Sequence, residues 1–163
     1  MDGIIKKLSA GELAGAVEIW NEVVEEGAAF PQTELLDERT GWEFFEGQSF
    51  TGAALDTDTN EVVGVYILHP NNVGRCGHIC NASYAVRTDR RGQRIGESLV
   101  RDCIRRAGEL GFRILQFNAV VSSNKPALAL YRRLGFKQLG VIPGGFRRKD
   151  GTYEDIIPHY IEL

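Results

Sequence analysis

TDRRGQRIGESLVRDCIRR, residues 88–106, decides how this chain folds. A turn crowded with glycine and arginine runs straight into an amphipathic helix pattern. Gly92 and Gly96 stand four apart, with Arg91 before them and Arg94 between. Behind the turn, Ile95, Leu99, Cys103, Ile104, Ala107 and Leu110 recur at helical spacing, and Gly111 closes the run. A helix start leaves about four backbone N–H groups unpaired and carries roughly half a positive charge. Glycines let that backbone approach a ligand closely, so the turn reads as a cradle for phosphate or diphosphate, with Arg91 adding a charge-assisted contact. It is neither the dinucleotide-binding Gly-x-Gly-x-x-Gly nor a P-loop, which needs Gly-Lys-Ser/Thr. A tight turn with an arginine-coated helix start has the same residues.

Outward from this helix, FRILQFNAVV (residues 112–121) reads as a buried strand, and SSNKPALALYRRLGF (122–136) as a helix with an early proline, ended by Gly135. Upstream, CGHICNASYAV (76–86) is extended, and SFTGAALD and EVVGVYILHP are strands joined by the turn TDTN. Residues 4–8 predict a first strand. Leu13, Ala16, Val17, Trp20, Val23 and Val24 predict a helix ended by Gly27, and TELLDERTGWEFFEG (33–47) predicts a second helix capped by Thr33. FKQLGVIPGGFRR and TYEDIIPHYIEL close the chain as two strands around KDG. The order β-α-α-β-β-β-α-β-α-β-β has no linker or repeat, so residues 1–163 form one domain. Strand–helix–strand alternation in the second half predicts a parallel pair, and the hairpins around it predict antiparallel neighbours. The expected fold is α+β: a mixed, mostly antiparallel sheet with helices on its faces.

The net charge of −3 and the absence of a basic stripe argue against a nucleic-acid partner. The arginines at 87–94 are local, which suits a small anion. Three cysteines (Cys76, Cys80, Cys103) without paired spacing suggest free thiols in a reducing, cytoplasmic setting. Cys76, His78 and Cys80 lie close in sequence, but no second ligand pair follows, so no metal site is expected. The N-terminus lacks an apolar signal core, and no run approaches the roughly 20 apolar residues of a membrane span.

The second chemistry-bearing motif is NKPALALYRRLGF. Asn124 and Tyr131 are seven apart, which brings them nearly onto one helix face about 10 Å apart. Asn124 can cap the helix or bind a ligand amide; Tyr131 can donate its phenolic proton or simply fill the core. Together the two motifs, in this order, resemble the GNAT acetyltransferase family. Its diphosphate loop, Arg/Gln-x-x-Gly-x-Gly/Ala, matches Arg91 to Gly96 with Arg94 in the first glycine slot. Its Asn-x-x-Ala-x-x-x-Tyr followed by Leu-Gly-Phe matches Asn124, Ala127, Tyr131 and residues 134–136. The element order resembles the GNAT fold over almost the whole chain. GRCGHICNASYAV and LQFNAVVSSNKPALALYRRLGF further resemble fungal N-acetyltransferases that detoxify proline analogues such as azetidine-2-carboxylate, in which three asparagines, here Asn81, Asn118 and Asn124, line the active site.

The resemblance implies acetyl-CoA as cosubstrate, bound where two parallel strands (residues 80–86 and 113–121) splay apart. A bulge in the first strand would free Tyr84 and Val86 to pair with the pantetheine arm. The diphosphate would lie on the N–H groups of Gln93, Arg94, Ile95, Gly96 and Glu97, near Arg91 and Gly92. Arg94 would turn its side chain to solvent at a negative φ. Asn124 would hold a pantetheine amide, with Asn118 beside it, and Tyr131 would protonate the leaving thiolate, with Asn81 at the reacting centre. Phe30, Gln32, Asn81 and Asn118 would line the pocket of the acceptor, a small-molecule amine such as an amino acid or analogue. No base is evident: His78, Glu26, Glu34 and a water chain stay open, and Cys80 as an acyl carrier is disfavoured. A protein N-terminus or a drug such as phosphinothricin as acceptor, a non-catalytic acyl-CoA sensor, and a homodimer formed through the terminal strands also stay open.

Overall fold

A computed structural model describes residues 3–163. In chain order the elements are β1 (Gly3–Lys7), α1 (Leu13–Glu26), α2 (Glu38–Glu46), β2 (Phe50–Asp56), β3 (Val62–Pro70), β4 (Ile79–Val86), α3 (Ile95–Glu109), β5 (Ile114–Phe117), α4 (Lys125–Leu134), β6 (Lys137–Gln138), β7 (Ile142–Arg147), β8 (Tyr153–Ile156) and β9 (His159–Glu162). Seven strands form one sheet in the order β1-β2-β3-β4-β5-β9-β6, and β7 and β8 form a separate hairpin. Among the described residues only β4 and β5 run parallel. The expected mixed, mostly antiparallel sheet is thus the one observed.

Alternation along the strands sorts side chains onto two faces. Ala53, Val65, Ile67 and Ala85 pack with α1 and α2 around Trp20. Tyr66, Leu68, Cys80, Ala82, Leu115 and Phe117 pack with α3 and α4. Two glycines permit the closest approaches. A Cβ on Gly41 would lie 2.5 Å from Val17, so its absence lets α2 cross α1. A Cβ on Gly52 would lie 2.2 Å from the Tyr66 ring, which fills the space over β2. That ring is held from the far side, because the Tyr66 hydroxyl donates to Asp102 on α3 at 2.7 Å.

Several boundaries differ from the sequence expectation. The second helix starts at Glu38 rather than near Thr33, because Asp37 is its cap: the Asp37 carboxylate accepts from the Thr40 N–H at 2.7 Å, and Thr40 Oγ1 accepts from the Asp37 N–H. The preceding loop is pinned instead by Asn21, whose amide makes two bonds to the Leu36 backbone. Leu110, expected on the apolar stripe of α3, is exposed. Each closing strand is split in two. Gly140, at φ 139, separates β6 from β7, and Pro158, which has no N–H to donate, separates β8 from β9. β6 and β9 join the main sheet, while β7 and β8 turn away from it.

The last difference positions the site. The β4–β5 pairing stops at Asn81 opposite Gln116, and β5 itself ends at Phe117 rather than running to Val121. Its continuation bonds to the hairpin instead: Ile157 N–H donates to the Val120 carbonyl at 2.8 Å, and Ser122 N–H to the Asp155 carbonyl at 3.0 Å. The expected bulge in β4 is absent; β4 keeps an unbroken register against β3 from Cys80 to Val86. The splay comes from β5 being drawn off, not from β4 bending.

The glycine packing gives two opposite expectations. Gly52→Ala should lower stability by roughly 2–3 kcal/mol, because the methyl must displace a ring anchored at both ends. Gly108→Ala, on the exposed side of α3 with open space around its Cβ, should raise it by about 0.5–1 kcal/mol. Urea midpoints with unchanged slopes test both.

Candidate active site

The splay opens a cleft of about 1040 Å³ between β4, the chain after β5, and the starts of α3 and α4. Of the residues expected at the site, Phe30, Gln32, Asn81, Tyr84, Val86, Arg91, Gly92, Arg94, Ile95, Gly96, Glu97, Asn118, Asn124 and Tyr131 all line it. Gln93 does not; its side chain accepts from Arg90 Nε at 3.1 Å instead.

The floor of the cleft is an open strand edge. The His78 carbonyl accepts from the β5 side (Arg113 and Ile114), while the Ile79 carbonyl accepts from Asn71 beside β3. Alternation therefore turns the main-chain N–H and C=O of Tyr84 and Val86 toward the side that β5 has left. The edge leads to the start of α3. There the first intrahelical bond is Ser98 N–H to the Arg94 carbonyl, so the N–H groups of Ile95, Gly96 and Glu97 have no partner among the described residues. Gly96 lets the Tyr84 ring come close, since a Cβ there would sit 3.3 Å from it.

Two findings change the reading of the arginines. Arg94 lies in the left-handed region at φ 62, not at a negative φ. Its slot demands the conformation glycine takes easily. Arg91, the expected anion contact, is bridged to Glu26 of α1 at 2.8 Å, and Arg90 to Asp56 at 2.5 Å. Arg94 lines the cleft with no acidic partner among the described residues. Glu97 lies at the same helix start, and its charge is balanced by Arg133 at 3.4 Å and Arg101 at 3.1 Å, which, Arg133 first, also hold its carboxyl below the usual range.

On the α3/α4 face, the Tyr131 hydroxyl donates to the Tyr84 hydroxyl at 3.0 Å, leaving the Tyr84 proton free to point elsewhere. Burial raises both phenols, Tyr131 well above the ordinary range, so both keep their protons near neutrality. Phe117 stacks on the Tyr131 ring at 4.6 Å and fixes it. Asn124 caps α4, its Oδ1 accepting from Ala127 N–H at 3.3 Å, which leaves its Nδ2 for the cleft.

On the α1/α2 face, the loop after α1 is fixed by Phe30, whose ring lies 4.3 Å from Trp20. Gln32 follows, with its Oε1 buried and without a hydrogen-bond partner among the described residues. Asn81 is buried, and no hydrogen bond engages its amide among the described residues. Asn118 differs: it is exposed, accepts from Gln116 at 3.0 Å and donates to Asn71 at 2.7 Å, so it ties the mouth of the cleft together.

The candidate bases separate. His78 and Glu34 are exposed and lie outside the cleft, and Glu26 lines it but is held by Arg91. Cys80 also lies outside; burial pushes its thiol up to about 12, and it donates to the Ile114 carbonyl. His69, at the end of β3, was not singled out by the sequence, where it closes an apolar run. It lines the cleft, directly opposite Asn81 in the β3–β4 register. Among the described residues no three His, Cys, Asp or Glu side chains gather as metal ligands, and no helix is long and apolar enough to cross a membrane.

The left-handed Arg94 yields a stability test. Arg94→Gly should be more stable than Arg94→Ala by about 1 kcal/mol, since both lose the guanidinium and only glycine relieves the backbone. Equal midpoints would contradict the positive φ.

The sequence model of the acetyltransferase (GNAT) family matches residues 11–136. N-acetyltransferase aca1 of Schizosaccharomyces pombe is 33% identical over 109 residues, 67% of this chain, and the match spans about half (51%) of that protein. YwnH of Bacillus subtilis, a proposed phosphinothricin acetyltransferase, is 27% identical over 148 residues, covering 89% of this chain and 90% of that one. The solved structure of a GCN5-related N-acetyltransferase from Kribbella flavida superposes with a TM-score of 0.89 at 28% identity, covering 99% of this chain and 98% of its own. The matched stretch runs from the turn before α1 to just past α4 and takes in the whole cleft, and the chain belongs to the acetyltransferase (GNAT) family.

Proposed function

We propose that the protein transfers an acetyl group from acetyl-CoA directly to the amine of a small molecule, an amino acid or analogue. The observation that carries this reading is the open edge of β4 running into an unpaired helix start, with two buried phenols beside it. An extended amide-bearing arm ending in a diphosphate matches that sequence of donors and acceptors. Tyr84 and Val86 would pair with the arm as an added strand would. The N–H groups of residues 95–97 would take the diphosphate, with the Arg94 guanidinium, which has no acidic partner among the described residues, beside them. Asn124 Nδ2 would hold a carbonyl of the arm. When bound, acetyl-CoA supplies an activated thioester carbonyl.

The chain's own groups then divide the proton work. Tyr131 and Tyr84, neutral and joined, would deliver a proton to the departing thiolate. Gln32 Oε1, a buried acceptor with no donor among the described residues, favours an N–H-bearing ligand on the opposite face, and the unengaged amide of Asn81 can donate to a carboxylate or carbonyl. These neutral groups suit an amino acid. The name of the Bacillus subtilis relative belongs to an enzyme for an acceptor of that kind.

Thiol release from acetyl-CoA with a panel of amino acids, proline analogues and phosphinothricin tests the reading. Turnover on at least one is expected; tight acetyl-CoA binding without turnover on any would favour an acyl-CoA sensor. Acetyl-CoA affinity by calorimetry should fall as salt rises, because the diphosphate contact is partly ionic. Tyr131→Phe should cut kcat by roughly 100-fold with acetyl-CoA affinity within about 2-fold of wild type. An unchanged kcat would remove Tyr131 from the reaction.

A further inference from the structure

The acceptor side of the cleft holds one group that the acetyl-transfer reading does not yet use. His69 closes β3 on the α1/α2 face, the face of Val65 and Ile67. Its β4 partner is Asn81. Side chains directly opposite on antiparallel strands share a face, with Cβ atoms about 5 Å apart. The ring is half-buried, and its Nδ1 lies 3.0 Å from the Pro70 carbonyl. A carbonyl oxygen can only accept, so the proton of the neutral ring sits on Nδ1. Nε2 therefore carries the lone pair, and no protein group engages it among the described residues.

We infer that His69 is the general base of the reaction, taking a proton from the acceptor ammonium through Nε2. This rests on the acetyl-transfer reading and deepens it. The ammonium gives one proton to Nε2, directly or through one water, and becomes a free amine. The amine lone pair forms the C–N bond at the thioester carbon, the C–S bond breaks, and the thiolate takes the free proton of Tyr84, which Tyr131 replaces with its own. The second proton lost by the nitrogen restores the phenol, and Nε2 returns its proton to solvent. Base and acid stand on opposite faces of the sheet. The attacking nitrogen would come from the α1/α2 side and the sulfur would leave toward α3/α4, through the gap between β4 and β5.

The surroundings of His69 leave it this task. Asn81, its partner in the sheet, is neutral, and so are Gln32 and Phe30, which line the same cleft. Glu26 on α1, the one carboxylate on that side of the cleft among the described residues, is paired with Arg91. The remaining charged or titratable groups lining the cleft are Arg90, Arg94, Glu97, Arg133 and the two phenols; they belong to the helix starts and the α3/α4 face. The chain's other two histidines are removed from the reaction: His78 lies outside the cleft, and His159 is buried under Tyr131.

His69→Asn and His69→Gln test the assignment in the full chain. Asparagine can still donate to the Pro70 carbonyl, so it keeps the structural contact and carries no base. With the amino acid that wild type turns over fastest, His69→Asn should lower kcat roughly 100-fold near neutral pH, with acetyl-CoA affinity within about 2-fold. The defect should narrow to a few-fold near pH 10, where the acceptor amine is already free of its extra proton. His69→Asn with wild-type kcat, or a defect of constant size at every pH, would overturn the assignment while leaving acetyl transfer intact. A wild type inactive on every amine would overturn both. Nitrogen NMR of the histidine rings supplies a readout that needs no acceptor: neutral His69 should carry its proton on Nδ1, and a ring protonated on Nε2 would contradict the inference.

Discussion

Everything at the candidate site depends on which partner the chain after β5 chooses. Residues 120–122 could continue the parallel ladder beside β4, but they bond to residues 155–157 of the returning hairpin. The β4–β5 ladder therefore stops after Asn81 and Gln116, and an edge in the middle of a seven-stranded sheet is left open. An unsatisfied strand edge is normally a liability that a protein covers or blunts. Here it is walled by the starts of α3 and α4, and an extended ligand of the right hydrogen-bonding pattern would cover it.

The same divergence sorts the chemistry by face. Alternation on β4 sends Tyr84 and Val86 toward α3 and α4, and Asn81 toward α1 and the loop that follows it. Tyr131 meets Tyr84 on the first face because α4 begins just beyond the diverging segment, with Asn124 capping its start. His69 meets Asn81 on the second because β3 and β4 are in unbroken register. The acceptor wall is held by aromatic packing and by Asn21, not by regular secondary structure: Trp20 seats Phe30, and Asn21 takes both polar groups of Leu36. A loop pinned at two points can present Gln32 while the sequence between stays free to vary.

Much of this was legible in the residues. The helix periods, the glycine stops, the mixed sheet and the two motifs that resemble the GNAT family are all local signals, and the structure keeps them. What was not legible depends on contacts between distant segments. The bulge expected in β4 is replaced by the recruitment of residues 120–122, which no local pattern announces. Arg94 in a left-handed turn breaks the rule that its family slot prefers glycine, and its φ follows from the turn, not from its own type. The pairing of Arg91 with Glu26, 65 positions away, is likewise invisible to any local pattern. His69 closes an apolar strand and carries no local signal, since its neighbour Asn81 appears only once β3 and β4 are aligned. The alternation Val65, Ile67, His69 was the one available hint of its face.

The most direct test of the central claim is amide hydrogen exchange, followed by NMR at single residues with and without acetyl-CoA. If the open edge of β4 takes the cosubstrate as an added strand, the N–H groups of Tyr84 and Val86 should be unprotected in the free protein and become protected by roughly 10-fold or more on saturation, while Ser83 and Ala85, already bonded to β3, change little. Saturating acetyl-CoA that leaves Tyr84 and Val86 exchanging as fast as before would contradict the account.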